Sequence, residues 1–349
     1  MDRDMDRDEI LHWLREDDPE VLDALWAAAD ETRRRHVGDD VHFRGLVELT
    51  NHCVRGCAYC GIRAANREIQ RYRMTAGEVM ECVRMAVELG FGTVVFQGGE
   101  DYGLGTEWVA DLVRQVKART ELAVTLSLGE RPDEDFIAWR KAGADRYLLR
   151  FETSDPDLYR AIHPDLPGRV SDRIAMLGRL RALGYEAGSG VMVGTPGQTY
   201  QSLANDIATF RELDLDMIGI GPFIPHPATP LGNAPVPDVH NQVPADEIMV
   251  LKAVALTRLV CPDANLPSTT ALATVNPKDG RERGLERGAN IVMPNLTPPK
   301  YRILYEIYPD KACINETGDQ CAACLRSRIE SIGRTVGTGQ GGRQRSSAT

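Results

Sequence analysis

Between residues 45 and 293, short apolar runs of strand length alternate with longer segments of helical period. This rhythm restricts the chain to a parallel α/β architecture. The strand candidates are 45–49, 93–97, 123–127, 146–150, 186–193, 217–220, 265–268 and 290–293. The helical candidates between and after them are 76–89, 107–117, 133–141, 171–183, 200–213, 246–260 and 301–306. Gly90, Gly143 and Gly184 stand just past the last periodic residue of three of these helices, where a left-handed C-terminal turn favours glycine. Eight strands predict a (β/α)8 barrel of the TIM type, and an open doubly wound sheet is the competitor. Polar and glycine residues favour the barrel. They follow the strands at 98–101, 129–130, 152–153, 194–198, 221–226, 269–270 and 294–295, and a barrel gathers such ends at one mouth. Two short helices, 9–14 and 19–35, precede the first strand. The expected organisation is an N-terminal helical segment (1–42), the barrel (43–310), a cysteine-bearing extension (311–332) and a tail (333–349). The tail is rich in Gly, Ser, Gln and Arg and is expected to be disordered.

A chain of 349 residues that is 42% hydrophobic and 26% charged has a full core. Its net charge of −10 and the lack of a long basic face disfavour nucleic acid as the main partner. No apolar run is long enough to span a bilayer, and residues 1–8 alternate charges without the apolar core of a signal peptide. Eight cysteines in a leaderless chain point to thiol or metal chemistry in a reducing compartment, with the cytoplasm as the default.

Cys53, Cys57 and Cys60 follow the first strand with the spacing C-x3-C-x2-C. Zinc sites usually recruit a fourth Cys or His at short spacing, and His52 would have to fold back to serve. The stronger reading is a 4Fe–4S cluster on three thiolates, with one iron open to a small molecule. After the second strand come Gly98, Gly99, Glu100 and Asp101, where two glycines let backbone approach a ligand. Arg146, Arg150 and Glu152 alternate along the fourth strand and share a face. Inward charges must be paired or used on a ligand. The options are an internal Arg150–Glu152 salt bridge or recognition of a carboxylate, with Arg173 able to join. Gly188, Gly190, Gly219 and Gly221 suit a flat ring laid against backbone, and His226 reads as a loop histidine. Cys313, Cys321 and Cys324 read C-x7-C-x2-C, consistent with a second iron–sulfur cluster, a zinc site or unliganded thiols. Cys82 and Cys261 fall in helical patterns as small core residues.

Taken together, these motifs resemble the radical SAM enzymes, and within them the biotin synthase-like and methylornithine synthase-like group that includes maturases of FeFe-hydrogenases. The resemblance runs from about Leu46 to Arg328. Its most specific strings are RYRMT (71–75), TLSLGE (125–130), ADRYLLR (144–150), VGTPGQT (193–199) and IGIGPFIPHP (218–227). It implies that Cys53, Cys57 and Cys60 hold a cluster whose open iron takes S-adenosylmethionine. Gly99 and Glu100 would sit by the methionyl amine, and Glu152, Arg173 and Met192 would contact the rest of the cofactor. Tyr59 and the backbone at Gly219 and Gly221 would flank the adenine, with Ser127 in the same cofactor set. Arg146, Arg150, Thr269, Thr270 and Tyr301 would line a substrate cavity. Cys313, Cys321 and Cys324 match an accessory cluster site that not every member carries. Phe151 departs from the best-known relatives, which have a histidine there.

The implied reaction is reductive cleavage of S-adenosylmethionine to a 5′-deoxyadenosyl radical. Its substrate would be a cysteine-bound iron carbonyl–cyanide unit whose carboxylate is gripped by arginines. The implied partners are a reductant such as flavodoxin or ferredoxin and other hydrogenase maturases. A methylornithine synthase-like mutase acting on an amino acid is the alternative. A non-catalytic iron–sulfur carrier has no need for Gly-Gly-Glu or for inward charges.

Overall fold

Strands buried on both faces must pair in parallel and be covered by helices, and the computed structural model, which describes residues 5–235 and 241–345, has that form. The strands are β1 (Asp40–Thr50), β2 (Thr93–Gly98), β3 (Ala123–Ser127), β4 (Arg146–Leu148), β5 (Glu186–Val193), β6 (Met217–Pro222), β7 (Ile291–Val292) and β8 (Thr335–Val336). They lie in the order β6-β5-β4-β3-β2-β1-β7, with β8 joined to β1, and every strand pair is parallel. The strand expected at 265–268 is an extended segment with single bridges, Met217 to Asn265 and Pro267 to Ile291. Ile218 N donates to Asn265 O at 3.0 Å and Ser268 N to Ile291 O at 2.9 Å, so this segment links β6 to β7 and closes the ring.

The expected helices form, with ends within a few residues of the periodic pattern. The exception is 301–306, which is reduced to a single turn, Pro299–Arg302. Four helices escaped the periodicity reading: Pro156–Ile162, Thr270–Val275, Gly280–Glu286 and Gly318–Ser331. Three are too short to show a period, although Asp155 before Pro156 and Thr269 before Thr270 are N-cap signals. The N-terminal helices Arg7–Arg15 and Pro19–Val37 pack on Tyr200–Glu212 and Glu247–Val260 outside the barrel, where buried Lys252 reaches Asp17 at 2.9 Å.

The tail is not disordered over its described part. β8 pairs with Asp40 and Val41, and the following glycine-rich segment crosses the N-terminal end of the barrel. Gly339 O would lie 1.6 Å from a Cβ at Gly92, so glycine is required for this approach. Arg343 bonds Asp263 at 2.8 Å, and Arg345 bonds Asp216 at 2.8 Å. Paired arginines and close glycine packing hold a composition that reads as flexible. Residues 346–349 lie outside the described residues.

This plug also corrects the role expected for Arg146. Its side chain faces inward, but at the start of β4, so it sits at the floor of the barrel. There Nε donates to Glu186 at 2.6 Å, Nη1 to Thr93 Oγ1 at 2.9 Å and Nη2 to Gln340 O at 3.1 Å. Its neighbour Arg44 donates to Gly341 O at 3.0 Å. Deleting residues 337–349 strips both buried guanidinium groups of carbonyl partners worth about 1.5–3 kcal/mol each. The expected loss in unfolding free energy is about 3 kcal/mol or more, read from chemical denaturation. An unchanged midpoint would show that the tail adds nothing to the barrel.

Candidate active site

The cysteine loop after β1 carries almost no regular structure and is fixed from several sides. Val54 N donates to Glu100 O, Ala58 N to Ile162 O and Gly61 N to Ile307 O, at 2.8–3.0 Å. Arg71 collects the loop's carbonyls, bonding Ile62 O at 2.7 Å, Arg63 O at 2.8 Å, Asn66 O at 2.9 Å and also Asn51 O. Close packing explains two glycines. A Cβ at Gly99 would lie 2.2 Å from His52 O and 2.8 Å from the Cys53 Cβ, and one at Gly61 would strike Glu306 O and His226. His226 is a packing residue, its Nδ1 accepting from Ala228 N at 3.0 Å.

Behind the loop lies a buried charge network. Glu130 meets Arg55 at 2.7 Å, Arg173 at 2.8 Å and His163 at 3.2 Å, and accepts from Ser171 at 2.6 Å. Glu100 pairs with Arg55 at 2.9 Å and accepts from Glu130 N at 2.9 Å. Burial opposes ionisation of Glu130, but His163, Arg173 and Ser171 outweigh it and hold the carboxyl well below its ordinary range. The other nitrogen of His163, Nδ1, lies 3.1 Å from Cys57 Sγ. Burial pushes the Cys57 thiol up to about 12 and also raises Cys53 and Cys60, despite the charge of Arg173 near Cys53 and Cys57.

In front of the loop a cavity of about 310 Å³ opens within the barrel. It runs from Tyr59 and Cys60, past Ser127, Arg150, Glu152, Met192, Gly219 and Gly221, to Thr269, Thr270, Cys313 and Cys321. Arg150 donates to Glu152 at 3.2 Å and to Val191 O at 2.6 Å, so the expected internal pair forms on the cavity wall. Glu152 is a non-glycine residue at φ +64°, a strained conformation of the kind that collects at functional sites. Asp206 braces its loop from behind. This carboxylate accepts from Ser154 N at 2.5 Å, Ser154 Oγ at 2.7 Å and Thr153 Oγ1 at 3.2 Å.

Several expected residues lie elsewhere. Gly99, Glu100 and Arg173 are not on the cavity wall: Gly99 packs against His52 and Cys53, and the Glu100 and Arg173 side chains are spent on the charge network. Tyr301 does not line the cavity. Its ring stacks on Tyr72 at 4.6 Å and its hydroxyl donates to Glu78 at 2.8 Å, because the helix that carries it ends after one turn; Tyr305 and Tyr308 enter the cavity instead. Phe151 is buried against Phe210 rather than at the cavity wall. Cys324 is exposed and interacts with Arg328, while Cys313 and Cys321, both free thiols, share a hydrogen bond and lie with Glu316 within 4.8 Å. His163, Arg55 and Glu316 were not foreseen, and no local pattern marks them.

Residues 47–210 match the model of the radical SAM superfamily. The chain is 46% identical over 343 residues to the [FeFe] hydrogenase maturase subunit HydE of Thermotoga maritima, covering 98% of this chain and 95% of the relative. The chain belongs to the HydE family of radical SAM enzymes. It is 26% identical to 3-methylornithine synthase of Methanosarcina acetivorans, over 82% of this chain and 78% of that one. The fold is that of methylornithine synthase (PylB), with a TM-score of 0.80, 23% identity, and 96% and 95% of the two chains covered. It is also that of the maturase HydG from Carboxydothermus hydrogenoformans, with a TM-score of 0.77, 18% identity, and 95% and 75% covered. Among the described residues no helix is long and apolar enough to cross a membrane.

Radical SAM enzymes use a 4Fe–4S cluster and S-adenosylmethionine, and the donor set fits. Three thiols share one loop, Cys57 buried and Cys53 and Cys60 half-buried, and they are not drawn together around a single-ion point as Cys313, Glu316 and Cys321 are. When bound, the cluster supplies the electron that cleaves the cofactor to methionine and a 5′-deoxyadenosyl radical. The chain's part is to hold, orient and keep water away.

Asp206 gives this radical SAM site a testable pH signature. Burial raises its carboxyl to about 7, against the donors around it. The folded state therefore binds this proton more tightly than the unfolded state. The group's stabilising contribution is full below the ordinary 3.8 and is lost as pH rises through about 7. Asp206→Asn should gain stability relative to the parent, on the order of 2 kcal/mol, between about pH 5 and pH 8. A pH-independent difference in denaturation would mean that the carboxylate is ionised throughout.

Proposed function

We propose that this enzyme processes a cysteine-bound iron carbonyl–cyanide unit during assembly of the active-site cluster of an FeFe-hydrogenase. The reading is carried by the shape of the cavity, which continues beyond the cofactor residues to a second sulfur pair and bears cationic side chains on its wall. The high identity to the Thermotoga maritima maturase supports it. In this reading Cys53, Cys57 and Cys60 hold the cluster, and Glu152, Met192, Tyr59, Ser127, Gly219 and Gly221 face S-adenosylmethionine. Gly99 and Glu100 flank the methionyl amine through backbone, and Arg173 fixes the wall through Arg150 O, 2.7 Å from its Nη1. Arg150, Thr269 and Thr270 face the substrate. The electron comes from a flavodoxin or ferredoxin, other hydrogenase maturases act before or after, and the setting is the cytoplasm.

A mutase acting on an amino acid would use the same cofactor residues, and the methylornithine synthase relatives support that second reading. The two are separated by substrate. Anaerobically reconstituted, reduced protein should release 5′-deoxyadenosine and restore hydrogenase activity in a defined maturation mixture, with no product from L-lysine. Cys57→Ala should abolish both activities; release that persists in this variant would sink the assignment.

The C-terminal cysteines form an accessory metal site in this reading, with Glu316 taking the place of Cys324 beside Cys313 and Cys321. Cys321→Ser is accordingly expected to lower bound iron, while Cys324→Ser keeps most of it. Equal losses in the two variants would restore the three-cysteine arrangement.

A further inference from the structure

Four cationic side chains line the cavity, and their partners differ. Arg150 is opposed by Glu152. Lys311 is opposed by Glu48 at 2.7 Å and also donates to Tyr305 O at 3.2 Å. Arg302 has no carboxylate, but its three nitrogens donate to the carbonyls of Asn295, Thr297, Cys313 and Glu316. Arg281 has neither kind of satisfaction. It is 5% exposed, its Nη1 has no partner, and its Nη2 reaches only Thr270 Oγ1 at 3.5 Å. Among the described residues it forms no ion pair.

A buried guanidinium without a counter-ion is costly, and a cavity wall is where a ligand can supply one. The planar fork of arginine suits a carboxylate, and the Thr270 hydroxyl beside it offers a further donor. Arg281 also faces inward, since its charge acts on Tyr308, another cavity residue, against the burial that raises that phenol. Arg150, already neutralised by Glu152, has less to gain from an incoming anion. Arg146 is at the floor of the barrel, on the far side of the core.

We propose that Arg281, with Thr270, is the carboxylate anchor of the substrate site, so that the substrate is a small molecule held by its carboxylate at the end of the cavity near Cys313. This rests on the reading of the cavity as a substrate site. Arg281 is a specificity-determining residue, whereas Arg150 faces the substrate with its charge already taken by Glu152.

The test uses reconstituted protein saturated with S-adenosylmethionine, titrated calorimetrically with L-cysteine and with cysteamine, which lacks only the carboxylate. The parent should favour L-cysteine by about tenfold or more, the range of a charge-assisted bond. Arg281→Met should bring the two probes to within about threefold, while Arg150→Met keeps most of the preference. An undiminished preference in Arg281→Met, no preference in the parent, or loss of it in Arg150→Met alone would each overturn the assignment. If Arg281→Met does not fold, Arg281→Lys decides, because a point charge should keep the preference at a reduced ratio and an undiminished one overturns the proposal. Failure of the underlying radical reading shows separately, as an absence of 5′-deoxyadenosine from the parent enzyme.

Discussion

The site depends on one buried carboxylate. Glu130 follows β3, yet it reaches Arg55 from the cysteine loop, His163 at the end of Pro156–Ile162, Ser171 and Arg173. Three stretches of the chain, around residues 55, 130 and 163–173, are thereby tied to one point behind the thiols. Buried charges are tolerated only when balanced and hydrogen-bonded, and Glu100 with Glu130 against Arg55 with Arg173 meets that condition. Removing Glu130 alone would leave Arg173 without its carboxylate and free the His163 ring that rests against Cys57. The geometry of an otherwise irregular loop thus follows from electrostatics rather than from backbone periodicity.

The same balance orders the cavity wall. Of the four cationic charges on the cavity wall, three are matched locally: Arg150 by Glu152, Lys311 by Glu48, and Arg302 by carbonyls; Arg281 is the exception. Local matching keeps the wall rigid and nearly neutral, which suits a chamber that must keep water from a reactive radical. The strained backbone at Glu152 is held from the outside by Asp206, through the Thr153 and Ser154 hydroxyls. The cavity wall is therefore positioned by residues that do not line it.

Much of the fold was legible because it depends on period. Alternating strand and helix patterns gave the eight barrel positions, and the cysteine spacing gave the loop chemistry. What was not legible depends on contacts between distant segments. His163 is 106 residues from Cys57, and nothing near either residue announces the pair. The tail misled by composition: glycine there serves close packing over His42 and Gly92, and its arginines are paired with Asp214, Asp216 and Asp263. The C-terminal cysteines show how spacing leaves direction open. Cys321 and Cys324 lie three apart on one helix, but only Cys321 turns toward Cys313, with Glu316 beside them.

Arg146 and Arg150 show why strand alternation is an incomplete guide to function. Even spacing correctly sends both side chains to the same face. Each residue along a strand also advances it by about 3.3 Å, so four residues separate the two by about 13 Å along the strand direction. One arginine begins β4 and meets Glu186 and the tail, whereas the other lies past its end and meets Glu152 and the cavity. Parity fixes the face and position along the strand fixes the depth. In a parallel barrel the chemistry belongs to the end where strands finish. By that rule a charged residue at the first position of a strand belongs to the floor, and a partner for a ligand is to be sought among residues that follow strands, as Thr269, Thr270 and Arg281 do.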